Sequence, residues 1–396
     1  MALAIVGPFA ASLLLTVMIR GWSRRHGFVD RPSGHKQHGA PVVLGGGIAL
    51  AGTTCGVILA GTALASLLRD GTPPAWVPAF VQSHLEGIAS RLPLVLGIVV
   101  GAAVLHVVGL IDDRKPLGPW PKFAAQFAVA IFTAWPLGIR ALEALPAPLS
   151  ILVTVLWIVL ITNAFNFLDN MDGLSVGVAA LAAAIFAVAS MQAGQVFVPV
   201  MAWVLVGALL GFLPFNFAPA SIFMGDAGSL VVGYLMGLLP ILVTFYDPSQ
   251  HTRPFGLLVP LVVLAVPLYD VVSVVILRVR VGESPLRGDR RHFSHRLVGR
   301  GMSTRGAVCT IYLATAATGL PAILLPRLDW PGAILLLVQC LCVVTMIAVL
   351  EHAGANGRLR PPTIDDPSPV RVGSTPQPEP DDKAQKRAAG TFRPRT

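Results

Sequence analysis

The chain has 396 residues, is 54% hydrophobic and only 12% charged, and carries a formal net charge of +9. Soluble domains carry roughly 25% charged residues, so a water-soluble globular protein is excluded, and a mean hydropathy of +0.72 agrees. The charge does not point to nucleic acid, because the basic residues sit between and after apolar runs, where they orient a membrane protein.

In lipid, every backbone polar group must be paired within a helix or a closed barrel. The apolar stretches run 17 to 27 residues without alternation, which predicts helices. Eleven are predicted, near 2–19, 42–68, 92–111, 119–135, 148–168, 173–190, 196–215, 229–246, 254–277, 306–325 and 331–350. The fold class is therefore an all-α polytopic membrane protein. The first segment has no Lys or Arg before it and Arg20, Arg24 and Arg25 after it. A secretory signal has the reverse pattern, so this helix is expected to be retained, with its N-terminus outside.

Alternating sides puts loops 20–41, 112–118, 169–172, 216–228 and 278–305, and everything from 351, on one face. With helix-end residues such as Lys122 included, that face holds 24 of the 29 Lys and Arg. It is expected to be cytoplasmic. Residues 1–350 form one membrane unit. Residues 351–396 are rich in Pro, Asp, Lys, Arg and Gly with almost no large apolar residues, the composition of a disordered cytoplasmic tail. There is no clear internal repeat. Cys55, Cys309, Cys340 and Cys342 all fall in apolar stretches without a CxxC, and read as small core or lipid-facing residues.

The inner loops hold nearly all the informative polar residues. Loop one contains His35, Lys36 and His38 and leads into Gly45-Gly46-Gly47. Loop two carries Asp112 and Asp113. Loop three reads Asn163-Ala164-Phe165-Asn166-Phe167-Leu168-Asp169-Asn170-Met171-Asp172-Gly173. Loop four has Asn216, then Phe223-Met224-Gly225-Asp226-Ala227-Gly228-Ser229. Loop five ends Asp289-Arg290-Arg291-His292-Phe293-Ser294-His295-Arg296. Any one aspartate here, taken alone, reads better as a solvated loop charge or helix cap. Five of them, in three loops on one face, read better as a shared site. Crowded carboxylates raise one another's pKa unless a cation lies between them. Oxygen-only ligands suit Mg2+ or Mn2+, completed by water and phosphate.

His292 and His295, with Arg290, Arg291 and Arg296, form a cationic patch suited to a pyrophosphate. They are too few for a zinc site. Lys36 and His38 read either as phosphate contacts or as charges orienting the loop. Lys122, one turn from Gln126, either snorkels to the interface or neutralises an anionic lipid head. His106 is read as a packed helix-end residue.

Taken together, Asp112-Asp113, the Asn-Phe-Leu-Asp-x-x-Asp-Gly run at 166–173, Phe-Met-Gly-Asp-x-Gly-Ser at 223–229 and the histidine loop resemble the polyprenyl-phosphate N-acetylhexosamine-1-phosphate transferases. The likeness covers about residues 20–305, with the motifs in family order. It implies transfer of a HexNAc-1-phosphate, GlcNAc-1-phosphate first, from a UDP-sugar to a polyprenyl phosphate such as undecaprenyl phosphate, with release of UMP. Such a protein starts cell-wall or surface polysaccharide synthesis at the bacterial inner membrane.

The resemblance makes Asp226 the Mg2+-holding aspartate, with Asp169 beside it. Asp112 and Asp113 become the acidic pair, Asp112 the base or nucleophile. Asn166 and Asp169 become cleft residues, and Asp172, Asn216 and Phe223 the nucleotide pocket, with Phe223 stacking on uracil. His292 and His295 serve phosphate or sugar, and Lys36 is the basic residue of loop one. Relatives of the common-antigen type often read His-x-His-His, where this chain has Ser294 in the third place. The oligomeric state stays open, a homodimer included. The first rival is a transporter or flippase, whose polar groups should lie near mid-membrane on broken helices. The second is a CDP-alcohol phosphotransferase, whose Asp-Gly and Ala-Arg run is absent.

Overall fold

A computed structural model describes residues 2–30, 42–70, 74, 75, 77, 79–247, 249, 251–284 and 292–352. The helices are α1 (Ala2–Arg25), α2 (Gly46–Leu68), α3 (Ala79–Gln82), α4 (Leu85–Ala89), α5 (Leu92–Arg114), α6 (Pro119–Ala134), α7 (Ala147–Leu168), α8 (Leu174–Gln192), α9 (Phe197–Asn216) and α10 (Gly225–Leu242). They continue with α11 (Val259–Val263), α12 (Ala265–Arg280), α13 (Phe293–Gly299), α14 (Thr304–Ala322) and α15 (Trp330–His352). Two-residue strands β1 (Val29–Asp30) and β2 (Val42–Val43) pair antiparallel.

Among the described residues, nine helices are long and apolar enough to cross a membrane, or ten if one bent pair counts as a span. The eleven predicted segments therefore include one short helix and one broken one. The short one is α6, with 16 residues, fewer than the ~20 that cross a bilayer. The broken one bends by 63° between Pro254–Val263 and Ala265–Arg280. Pro267 accounts for the break, because it has no N–H to offer the Val263 carbonyl. The second helix starts at Gly46 and not at 42, because Val42 and Val43 are held extended by β1 and by a bridge from Val43 to Ile222. The last helix continues to His352, past the predicted end at 350.

Helices α8 and α10 are almost wholly buried, whereas α1 and α15 leave most of their apolar side chains exposed. Exposed Leu, Val and Ile rows of this kind fit a lipid solvent. Between helices in lipid, small residues and hydrogen bonds replace the hydrophobic driving force. Gly207 and Gly211 of α9 lie against the α1 backbone, and Ser12 donates to the Ala208 carbonyl at 2.7 Å. Similarly, Trp157 of α7 donates to the Gly237 carbonyl of α10 at 3.0 Å.

The same device fixes one end of the bundle. A methyl group at Gly47 of α2 would overlap the backbone at Ala227–Gly228, and one at Gly109 of α5 the backbone at Asp226–Ala227. The first turn of α10 is thus enclosed by two other helices. Backbone bonds add to this: Gly46 and Gly47 donate to the carbonyls of Phe223 and Met224 at 3.0 Å each, and Phe223 donates back to Val43 at 2.8 Å.

Candidate active site

The first turn of α10 carries Asp226. Gly225 before it has φ +67, and a Cβ there would run into the Asp113 carboxylate. Only glycine meets both constraints. Asp113, near the end of α5, accepts from the backbone N–H of Asp226 at 2.8 Å and of Ala227 at 3.2 Å. It thus satisfies two of the free donors at the start of α10. His106, one face of α5 earlier, bonds the Ala227 carbonyl through Nδ1 at 2.9 Å, the packing role expected of it.

Asp112 turns elsewhere. Its Oδ1 accepts from the Leu117 N–H at 2.8 Å and its Oδ2 from Lys122 Nζ at 3.2 Å. Lys122 Nζ also donates to Asp226 Oδ2 at 2.8 Å. One ammonium therefore joins carboxylates from α5 and α10, a pairing that neither reading of Lys122 named. Asn166 of α7 completes the set, donating to Asp226 Oδ1 at 3.0 Å and to Ser229 Oγ at 2.8 Å. Gln126 is not part of this group, since it pairs with Asn163.

Asp169 follows the end of α7. Its carboxyl has no protein hydrogen-bond donor among the described residues. Burial, then the charges of Asp226, Asp113 and Asp172, push it well above the usual carboxylate range. A hard cation would relieve that repulsion. Among the described residues, no three His, Cys, Asp or Glu side chains are grouped to hold a metal by themselves. The donor set nevertheless fits an ion that takes one or two carboxylates and fills its shell with water and substrate phosphate, as Mg2+ does.

Asp172 and Asn216 join loops three and four. Asp172 Oδ2 accepts from the Ala220 N–H at 2.8 Å. Asn216, only 2% exposed, accepts from the Gly173 N–H at 3.2 Å and donates to the Ile222 carbonyl at 3.1 Å. Both its amide atoms thus serve the backbone and tie the two loops together. Phe223, next in the chain after Ile222, is half-buried.

The histidine segment docks beside loop three. His292 lies edge-on to the Phe167 ring at 5.7 Å, and Ser294 Oγ donates to Asn170 Oδ1 at 2.6 Å. Ser294 is fully buried, so the position that departs from the family pattern holds this segment against loop three. His295 lies 6.5 Å from His292, ring to ring. Arg296 is engaged by Glu351 of α15 at 2.7 Å and by Ser273 of α12 at 3.0 Å. Lys36 and Arg290 lie outside the described residues.

Two buried acids escaped the sequence reading. Asp270 of α12 is fully buried and binds His292, and Glu351, assigned to the tail, is 2% exposed inside α15. The signal for Asp270 was available, since a single acid inside an apolar span is a functional candidate by default.

Comparison with known proteins identifies the family. The model of glycosyl transferase family 4 matches residues 95–244. The chain is 30% identical over 377 residues to the probable undecaprenyl-phosphate N-acetylglucosaminyl 1-phosphate transferase of Bacillus subtilis (strain 168), covering 90% of this chain and 94% of that one. It is 35% identical over 342 residues to the decaprenyl-phosphate N-acetylglucosaminephosphotransferase of Mycolicibacterium smegmatis, covering 78% and 79%. The undecaprenyl-phosphate alpha-N-acetylglucosaminyl 1-phosphate transferase of Escherichia coli (strain K12) is 25% identical over 332 residues, covering 79% and 80%.

Proposed function

The chain belongs to the polyprenyl-phosphate N-acetylhexosamine-1-phosphate transferases of glycosyl transferase family 4, and from that membership we propose how its clustered carboxylates carry the reaction and which sugar they handle. It transfers a HexNAc-1-phosphate from a UDP-sugar to a polyprenyl phosphate. The sugar is GlcNAc, as the names of the relatives suggest. The step opens cell-wall or surface polysaccharide synthesis, at the cytoplasmic face of a bacterial inner membrane.

The lipid phosphate oxygen attacks the phosphorus that bears the sugar, and the bond to the leaving UMP breaks. Asp226 and Asp169 would hold Mg2+, or Mn2+, which when bound supplies positive charge to the diphosphate. In direct attack Asp112 is the base that takes the proton of the lipid phosphate; in the two-step alternative it attacks the sugar-bearing phosphorus itself, UMP leaves, and the lipid phosphate then displaces Asp112 from that phosphorus. Lys122 keeps Asp112 and Asp226 together and gives a cation to the anionic reactants. Asn166 orients Asp226. Asp113 holds the start of α10. Asp172 and Asn216 shape the wall on which Phe223 stacks against uracil, with Lys36 and Arg290 as further anion contacts. His292 and His295 meet the sugar nucleotide, and we assign Arg296 to holding α13. The lipid tail stays between helices, which keeps the centre at the membrane interface.

The observation that carries this reading is the Lys122 ammonium shared between Asp112 and Asp226. It brings acids from two separate segments to one cation-binding point at the bundle end. A transporter would instead gather its polar groups at mid-membrane. The test is the purified protein in liposomes with undecaprenyl phosphate, a panel of UDP-sugars, and Mg2+ or a chelator. UMP and a lipid-diphosphate sugar should form with UDP-GlcNAc and Mg2+, and Asp226→Ala should form neither. Uptake of UDP-sugar without turnover would favour the transporter, and a fully active Asp226→Ala protein would remove the metal assignment.

A further inference from the structure

Asp270 sits in α12, just past the break in the bent span, and is fully buried. Both its oxygens are engaged by the histidine segment. Oδ2 bonds His292 Nδ1 at 2.8 Å and Oδ1 accepts the Phe293 N–H at 3.2 Å. A carboxylate can only accept, so Nδ1 of His292 carries the proton and Nε2 is the ring nitrogen left for another partner. The ring is 5% exposed and wedged edge-on against Phe167. Phe167 lies between Asn166 and Asp169, so the imidazole is held beside the segment that builds the carboxylate centre.

The neighbours of Asp270 strengthen the hold. Tyr269 donates to Glu351 at 2.6 Å, and Ser273 and Glu351 both engage Arg296. One face of α12 therefore grips the histidine segment at 292, 293 and 296. For stability alone, well-packed apolar residues serve a buried position as well as an ion pair. A buried acid aimed at a site histidine is instead the arrangement that fixes tautomer and ring direction.

We propose that Asp270 is a positioning residue for transfer: it holds His292 in the Nδ1-protonated tautomer, with Nε2 fixed for contact with the sugar nucleotide. The inference rests on the role assigned to His292 above. It makes the broken span part of the site's support.

The test is a double-mutant cycle on kcat/KM, using the full chain in liposomes with UDP-GlcNAc and undecaprenyl phosphate. Asp270→Asn and His292→Gln should each lower kcat/KM by about 10–100-fold. The double variant should be no worse than His292→Gln alone. Folding of each is read from thermal unfolding in detergent. If Asp270→Asn does not fold, Asp270→Ser goes through the same cycle, and failure of both to fold overturns the proposal in favour of stability alone. A folded Asp270→Asn with parental kcat/KM, or losses that multiply in the double variant, also overturns it. An impaired His292→Gln with independent losses sinks only this inference, whereas a fully active His292→Gln removes the role of His292 as well.

Discussion

Asp113 meets Asp226 through the backbone: its carboxylate accepts the Asp226 N–H at 2.8 Å, while the Asp226 side chain turns to Lys122 and Asn166. Adjacent acids in the sequence thus have separate tasks, Asp113 supporting the helix and Asp112 facing the cation. Losing a capping acceptor costs about 0.5–2 kcal/mol. Asp113→Ala should lower the melting temperature in detergent, while Asp113→Asn, which keeps an acceptor, should lower it less. Equal melting temperatures for the two variants and the parent would contradict the capping role.

Lys122 neutralises Asp112 and Asp226 together. Lys122→Met leaves two uncompensated acids, so substrate-free Mn2+ binding should tighten even as turnover falls. A loss on the order of 100-fold or more is expected for removing a charged donor from an anionic reaction centre. Electron paramagnetic resonance titration of Mn2+, alongside UMP release, measures both. Weaker Mn2+ binding in the variant would show that Lys122 and the ion do not compete for the same charge.

Gly225 combines a positive φ with contact against Asp113. Gly225→Ala brings strain of ~1 kcal/mol or more and displaces the Asp113 carboxylate. Thermal unfolding should show a clear drop, and activity should fall with it. A variant as stable and active as the parent would mean that this turn has slack.

Glu351 pairs with Arg296 across α15 and α13, and only 1% of its side chain is exposed. Removing one partner of a buried pair costs about 3–5 kcal/mol. Glu351→Ala should therefore destabilise strongly. Truncation after 359 should leave activity largely intact, whereas truncation after 350 should abolish it. Equal activity in the two truncations would show that Glu351 contributes nothing.

The long helices and the acids at their ends were legible because apolar runs and charge asymmetry are strong local signals. The meeting of Asp112 with Asp226 was legible only through motif order, since nothing local in either segment specifies the other. Three features stayed hidden for physical reasons. Val42 and Val43 read as the start of a helix, because two strand residues cannot show a period. The break at Leu264 lies inside a run that remains apolar on both sides of Pro267. Glu351 begins a polar stretch in the sequence, and only its partner on α13 turns it inward.

The glycine seam around the head of α10 bears on how this protein meets its reactants. With Gly47 and Gly109 pressed against that turn, the acid-bearing floor is preorganised, and binding has no entropy of assembly to overcome there. Adaptation to different sugars in relatives with this seam would then fall to surrounding loops, with the floor left unchanged.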